Sequence, residues 1–417
     1  MSWDSHKAVP RDWRWLMMVL VCFYALLAVG VPLLKLVSEK QLFQGLGVAA
    51  LDHPFMDLCG VTAWCDAAKM GKDPSVVETW ISLPGSAEPH PNFLMNYAPT
   101  VLLLGKLGLT QHFMTAWGIG LALLYILSLW LLAGPCSLRR AVFWALLICS
   151  PSSVLAVERG NLDTLLFALL VASLLLRKHP WAGTLMILGA ASLKFFPIAA
   201  LLAPWREEKK QSRIASIMAG VLFLIFLALL HDRLAAIGGS LAAQYQTSFG
   251  STTIADILAH GGLLSGEIIG RSHMILKFTA LIGLGVSFAL GLSARVGNPD
   301  KRSLPSERSD YAFFLTAPIL LGLFVLGPQM DYLWIFFLFM VPSGLELITS
   351  TCQREAFVAK LWLIALPLYS YWTFFSDEGS LRNALLKQTV MGLVILLSAF
   401  LAGRLWKHKT PVSCLEN

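Results

Sequence analysis

Apolar runs of about 17 to 23 residues recur from one end of this 417-residue chain to the other, and few folds tolerate that. A helix needs roughly 20 residues to cross the hydrocarbon core of a bilayer, whereas a membrane strand is shorter and alternates apolar with polar residues. Backbone in lipid must also satisfy its own polar groups, so these runs read as helices. Composition agrees, since 56% of residues are hydrophobic and only 14% are charged, far from the values of soluble domains. The expected fold is all-α: a polytopic membrane helical bundle forming a single integral-membrane domain over residues 1–417.

The runs place about ten full crossings by length alone: Trp15–Val37, His112–Ala133, Ala141–Val157, Asp163–Lys178, Ile214–Leu230, Met274–Ala294, Tyr311–Gly327, Tyr332–Ile348, Phe357–Phe375 and Ala384–Gly403. The first has a basic flank but is too long for the apolar core of a signal peptide, so it reads as a retained anchor. Pro180–Trp205 is longer and interrupted by Lys194 and Pro197. Its reading follows from the bias of Lys and Arg toward cytoplasmic loops. Arg139/Arg140, Arg177/Lys178, Arg206–Arg213, Arg295–Arg308, Arg354/Lys360 and Arg404–Lys409 fall on one side only if that segment crosses an even number of times. Two half-helices meeting near Lys194 are therefore expected, with both termini inside.

That topology leaves two sizeable outer loops, Ser38–Gln111 and His231–His273, with short inner connections. Within the first, Met56–Lys69 reads as an interfacial helix, and Tyr97–Leu109 as a half-helix too short to span. The net charge of +7 is absorbed by the inner loops, which favour anionic membrane lipid. No basic stripe with interleaved aromatics calls for a nucleic acid. The seven cysteines contain no C-x-x-C pair, and no ligand spacing supports a metal. Cys59 and Cys65 alone are placed outside, so a disulfide between them stays open.

Ionisable residues near a membrane mark a cavity, a pathway or a pair. The densest group is Glu158-Arg159-Gly160-Asn161-Leu162-Asp163, a very short turn between two runs. It reads as a substrate-facing rim or as a helix-capping turn, with Asn161 or Asp163 as the cap and Glu158 paired to Arg159. Lys194 reads as an ammonium inside a protein cavity or as a snorkelling lysine. Arg271 and His273, and Gln329 and Asp331, join the same cavity or are ordinary interfacial residues. Asp57 is flanked by Phe55, Met56 and Leu58, a semi-apolar setting that raises a carboxylate's pKa toward the range of a general base.

Four of these stretches carry a resemblance. Asp57, Ala67, Gly71, Asp73 and Pro74 resemble the pattern of the polytopic glycosyltransferases of family 87, in which an aspartate precedes a Gly-x-Asp-Pro turn. Asn96-Tyr97-Ala98-Pro99 resembles the family's Asn-Tyr-Pro-Pro, the ERGNLD run its Glu-Arg-Gly turn, and Leu193-Lys194-Phe195-Phe196-Pro197 its Lys-x-x-Pro element. The matches fall in the family's order over the first half of the chain. Ser75 and Ala98 depart from its usual tyrosine and proline. The resemblance implies a fold of the GT-C type and a hexosyltransferase acting from a polyprenyl-phosphate sugar, mannose in the mannosyltransferases among its relatives, onto a lipid or glycan acceptor. It also implies a bacterial inner membrane, an active site facing the periplasm and no cofactor.

The chemistry suits these residue types. A phosphate leaving group needs cations rather than a strong acid, and Arg159, Lys194 and Arg271 are the candidates. A single inverting displacement needs one carboxylate to take the acceptor's proton, which is the role expected of Asp57. Glu158, Asn161, Asp163, Asn96 and Tyr97 are expected to orient sugar hydroxyls or neighbouring side chains. Three other classes fit the same spans: a transporter or flippase for lipid-linked sugars, a different lipid-linked glycan polymerase or ligase, and an assembly subunit that has lost catalysis and would tolerate loss of Asp57.

Overall fold

The computed structural model describes residues 55–75, 79–81, 90–91, 97–231, 248–294, 305–327, 329–350, 352–372 and 381–409, with Trp15, Val19, Val48 and Met95. In chain order its helices are α1 (Met56–Lys69), α2 (Leu103–Lys106), α3 (Met114–Ala133), α4 (Leu138–Ile148), α5 (Pro151–Glu158), α6 (Asp163–Leu175), α7 (Pro180–Leu193), α8 (Leu202–Trp205) and α9 (Lys210–Leu229). They continue as α10 (Thr253–His260), α11 (Gly266–Ser293), α12 (Glu307–Leu326), α13 (Val341–Leu347), α14 (Gln353–Ser370) and α15 (Leu381–Lys409). Two-residue strands form two small antiparallel pairs, β1 (Trp80–Ile81) with β2 (His90–Pro91) and β3 (Ser248–Phe249) with β4 (Gln329–Met330).

The chain is an all-helical polytopic membrane bundle, in which five or six long apolar spans and several shorter apolar helices stand among the described residues. Five helices are long and apolar enough to span: Gln111–Ala133, Lys210–Leu229, Ile268–Ser293, Glu307–Leu326 and Leu381–Lys407. A sixth is the bent pair α4–α5, which turns by 55° where Ser150 caps α5 and Pro151 takes its first position. The runs at Asp163 and Tyr332 behave differently. Helix α6 has 13 residues, about 20 Å at 1.5 Å per residue, which is short of a bilayer core. The run at Tyr332 forms a 3-10 helix, Asp331–Met340, that leads into α13. Phe167 and Leu170 of α6, and Trp334 to Val341, are almost wholly covered by protein. Hydropathy scores a helix buried in protein and one facing lipid alike, so it does not tell these protein-covered segments from lipid-facing spans. Helix α14, from the run at Phe357, does not reach the hydropathy of the five spans. The expected crossing at Trp15–Val37 lies outside the described residues.

Pro180–Trp205 does turn back on itself. Helix α7 begins with Gly183 packed on the carbonyls of Ser173 and Leu176 at the end of α6. It runs to Lys194, whose ammonium meets Asp163 at the start of α6. The following 3-10 turn (Phe196–Leu201) and α8 then return to Arg206, paired with Asp310 in the first turn of α12. Lys194 is thus the tip of a helical hairpin, and Arg206 comes back to the end from which α7 set out.

Two ends of the bundle can therefore be told apart. One carries Arg177 with Glu307, Arg206 with Asp310, and Arg308, which donates to the Leu131 carbonyl near the end of α3. A cavity of about 130 Å³ opens here among Gly134, Arg140, Arg308 and Glu346. The Glu346 carboxylate is already engaged by the Ser306 N–H and the Ser309 hydroxyl. The other end, about 24 Å away along α3 from Gly134 to Gly118, carries α1 and Asp57.

Candidate functional site

Four separate stretches of chain meet at that second end. Helix α1 covers the expected Met56–Lys69, but it is mostly enclosed by protein rather than lying on a lipid surface, with Leu58 to Cys65 buried. Its free N–H groups would ordinarily bind water or an anion. Here the Phe55 N–H donates to the Glu158 carbonyl at 2.7 Å, and the Asp57 and Leu58 N–H groups donate to the Arg159 carbonyl at 3.1 and 3.4 Å. The start of α1 is stitched to the turn between α5 and α6.

That turn follows from its sequence. Gly160 sits at φ +60°, where a side chain is strained. Asn161 then accepts from the Asp163 N–H at 2.9 Å in an Asx-type turn that leads into α6, whose N-cap position is Leu162. Its amide donates at 2.6 Å to Asp57 Oδ2. Arg159 lies between two carboxylates, 3.3 Å from Glu158 and 3.9 Å from Asp57. Asp163 receives both its contacts from Lys194, at 2.9 Å to each oxygen. Lys194 Nζ also stands 4.4 Å from the centre of the Tyr97 ring.

The Tyr97 segment is fixed by the end of α7. The last carbonyls of a helix lack partners within it. Ser192 accepts from the Thr100 hydroxyl, and Leu193 accepts from the Ala98 N–H at 3.3 Å. Pro99 opens the 3-10 turn at the position where a missing N–H costs nothing. The Gly-x-Asp-Pro stretch closes the other end of α1: Gly71 lies at φ +76° and Asp73 accepts from the Ser75 N–H and hydroxyl. It shapes a turn and stands apart from the charged cluster.

Burial separates the three carboxylates. The side chains of Glu158 and Asp163 are 1% and 0% exposed, whereas Asp57 keeps 27%. Asp57 is the acid of this cluster that a substrate can reach. Its surroundings raise its pKa above the ordinary value: burial dominates, opposed by Arg159, by the Asn161 hydrogen bond and by Lys194. Burial also holds the Tyr97 hydroxyl protonated, reinforced by the charges of Asp163 and Asp57.

Asp57, Glu158, Arg159, Asn161, Asp163, Lys194 and Tyr97 thus come together. Asn96 lies outside the described residues. Arg271 is exposed on α11, and no contact among the described residues joins it to the cluster. His273 pairs with Asp256 at 2.8 Å. Asp331 forms a separate buried group with Lys387 and Tyr369. Cys59 and Cys65 are both free, with buried thiols pushed up to about 12 and about 11. The sequence reading named Phe55 only as an apolar neighbour of Asp57 and did not single out Gly118 or Lys387. Phe55 and Gly118 carry no polar signal, and Lys387, a lone cation in an apolar run, is the kind of signal that could have been followed.

No curated protein and no solved structure matches the chain. The model of glycosyltransferase family 87 matches residues 97–304, about half of the sequence, from Tyr97 through the Glu158–Asp163 turn and Lys194 to beyond α11. Asp57 lies ahead of the matched residues. With its membrane bundle, its polar cluster at one end and this match, the chain is a membrane glycosyltransferase and belongs to glycosyltransferase family 87.

Proposed function

We propose that the protein transfers a hexose, mannose being the first candidate, from a polyprenyl-phosphate donor to a lipid or glycan acceptor, with inversion. The observation that carries this reading is the reachable Asp57 carboxylate, clamped by Arg159 and Asn161 beside two closed carboxylates. The acceptor hydroxyl gives its proton to Asp57 as its oxygen attacks the anomeric carbon. The bond from that carbon to the phosphate breaks on the opposite face, and polyprenyl phosphate departs. A base with a raised pKa is better matched to this task at neutral pH than an ordinary carboxylate.

Arg159 and Lys194 are the cations proposed to steady the developing phosphate charge. A guanidinium has five N–H donors and an ammonium three, so pairing with one or two carboxylates leaves capacity for a phosphate oxygen. Arg271 would serve only by an approach from α11. Asn161, Asp163 and Glu158 hold Arg159, Lys194 and Asp57 in place, while Tyr97 lines the approach and Asn96 keeps the sugar-orienting role its motif suggests. The end bearing Asp57 is taken as the outer, periplasmic face of a bacterial inner membrane. Nucleotide sugars are confined to the cytoplasm, which is the reason for a lipid-linked donor, and the Arg-rich opposite end fits the cytoplasmic side.

The test uses purified protein with radiolabelled undecaprenyl-phosphate mannose, glucose and galactose, and total membrane lipid as acceptor. Wild type should label a lipid product from one donor, and Asp57→Asn should lower the rate by about 10²–10⁴-fold. No labelling from any donor overturns the reading, as does an active Asp57→Asn.

A further inference from the structure

The residue just before α1 has an unusual conformation. Phe55 lies at φ 59° and ψ 33°, the left-handed region, and is the one non-glycine residue with positive φ among the described residues. Bulky side chains avoid this region, which is ordinarily left to Gly, Asn or Asp. Something in the surroundings over-determines it.

The surroundings are two glycines on different elements. A Cβ placed on Gly118 of α3 would stand 2.6 to 2.7 Å from three atoms of the Phe55 ring. One placed on Gly160 would stand 3.0 Å from Phe55 Cβ and Cδ1, and Gly160 itself is left-handed. The ring occupies a slot that exists because both positions lack a side chain. Its own N–H is bonded to Glu158, the residue before Arg159. Asp57 follows two residues later, so the Phe55 torsions aim the first turn of α1 and with it the Asp57 carboxylate. An ordinary core aromatic needs neither a left-handed backbone nor two glycines.

We propose that Phe55, wedged between Gly118 and Gly160, is a positioning residue that sets Asp57 against Arg159 and Asn161 for proton abstraction. The proposal rests on the reading of Asp57 as the base. Phe55 touches no substrate; it acts through the backbone of α1. Removing the wedge lets the start of α1 shift, and a displacement of about 1 Å at a reacting group can lower a rate by roughly 10²-fold.

The experiment compares wild type, Asp57→Asn, Phe55→Gly, Phe55→Ala, Gly118→Ala and the double variant Phe55→Ala/Gly118→Ala, using the undecaprenyl-phosphate sugar that wild type accepts. Phe55→Gly removes the backbone strain together with the ring. It should lose less thermal stability than Phe55→Ala, which keeps the strain, while kcat falls about 10²-fold and the donor KM stays within about threefold. Gly118→Ala should lower kcat by crowding the ring, and should cost nothing further once the ring is gone, so that the double variant equals Phe55→Ala.

The pH profile separates positioning from mere packing. Glu158, Arg159, Asp163, Lys194, Tyr97 and, on α1 itself, Cys59 are the titratable groups around Asp57. Moving Asp57 away from Arg159 and Asn161 removes what holds its pKa down, so the acid limb of kcat should move to higher pH in Phe55→Gly. A packing defect lowers the active fraction and leaves the limb in place. Should Phe55→Gly fail to accumulate, Phe55→Leu carries the same readouts. Inactive Asp57→Asn with wild-type kcat and an unmoved limb in the Phe55 variants overturns the wedge alone, as do multiplicative losses in the double variant. Active Asp57→Asn overturns the base and the wedge together.

Discussion

Two lysine–aspartate–tyrosine groups stand at the same end of the bundle and differ in how they are connected. In the first, Lys194 grips both oxygens of Asp163 and lies 4.4 Å from the Tyr97 ring centre. In the second, Lys387 pairs with Asp331, the Tyr369 hydroxyl donates to Asp331 at 2.5 Å, and the lysine stands 5.6 Å from the Tyr369 ring centre. The residue types are the same. The lysine side chain is 16% exposed in the first and 5% in the second. More telling is what lies beside each. Asp163 is bonded through Asn161 to the reachable Asp57. The second group ties the end of α14, the start of α15 and the segment after β4, and Gln388 next to it donates to the Ser248 carbonyl. A buried ion pair alone does not mark a site; a bonded path from it to an exposed oxygen does.

The largest expected effects come from breaking each pair from one side. Lys387→Met or Lys194→Met leaves a buried aspartate without its cation, a change that typically destabilises by about 3–5 kcal/mol. Both should show a lower melting temperature in detergent. Replacing all the polar members should recover most of that loss, because well-packed apolar groups often do as well as a buried pair. The comparison predicts a split. Lys387→Met/Asp331→Leu/Tyr369→Phe should regain stability and transfer per folded molecule, whereas Lys194→Met/Asp163→Leu should regain stability alone. Full transfer in the second combination would erase the distinction.

The tyrosines give a smaller contrast. Tyr369→Phe removes a hydrogen bond to a charged group, typically about 1.5–3 kcal/mol, and should leave transfer unchanged. Tyr97→Phe keeps the ring under Lys194, so its stability loss should stay near 1 kcal/mol. Its effect belongs in the donor KM if Tyr97 lines the approach. Melting curves and saturation kinetics on the two single variants check both.

A pH series sharpens the difference further. Since burial raises the Asp57 pKa, ionising it opposes folding, and the stability associated with its protonated form is lost as pH rises through the folded pKa. Asp57→Asn should therefore melt no lower than wild type at neutral pH, while being inactive. Wild-type kcat should fall on the acid side at a pH above the ordinary carboxylate range. A melting temperature that drops in Asp57→Asn would make Asp57 a structural acid like Asp331.

Much of the open group was legible in the sequence. Asp57, the ERGNLD turn, Lys194 and Tyr97 are polar residues in or beside apolar runs, and the charge bias required a hairpin with its tip at Lys194. The structure brings them together because helix ends have unpaired polar groups, and these short motifs supply the partners. What escaped were features without polarity or pattern. Phe55 and Gly118 meet only in three dimensions, as do Lys387 and Asp331, which lie far apart in sequence. Length and hydropathy alone did not separate two short apolar segments from lipid-facing spans: α6, from Asp163 to the Arg177–Glu307 end, and the stretch from Asp331 to Glu346, both of which are surrounded by protein.

The smallest effect concerns the thiols of α1, beside the open group. Cys59 and Cys65 are six residues apart on one helix, so their side chains leave it in different directions; Cys59 Sγ meets Met114 and Cys65 Sγ the Val101 carbonyl. Reducing agent should leave melting temperature and transfer unchanged. Burial, reinforced by the Asp57 charge, pushes the Cys59 thiol up to about 12, so very little of it is ionised near neutral pH. Taking away that charge should make Cys59 slightly more reactive. Asp57→Asn should thus raise the slow rate of maleimide labelling at Cys59 by a few-fold while leaving Cys65 unchanged. An equal rise at both would mean that α1 has loosened as a whole, and the loss of transfer in Asp57→Asn would then reflect a displaced helix rather than a missing base.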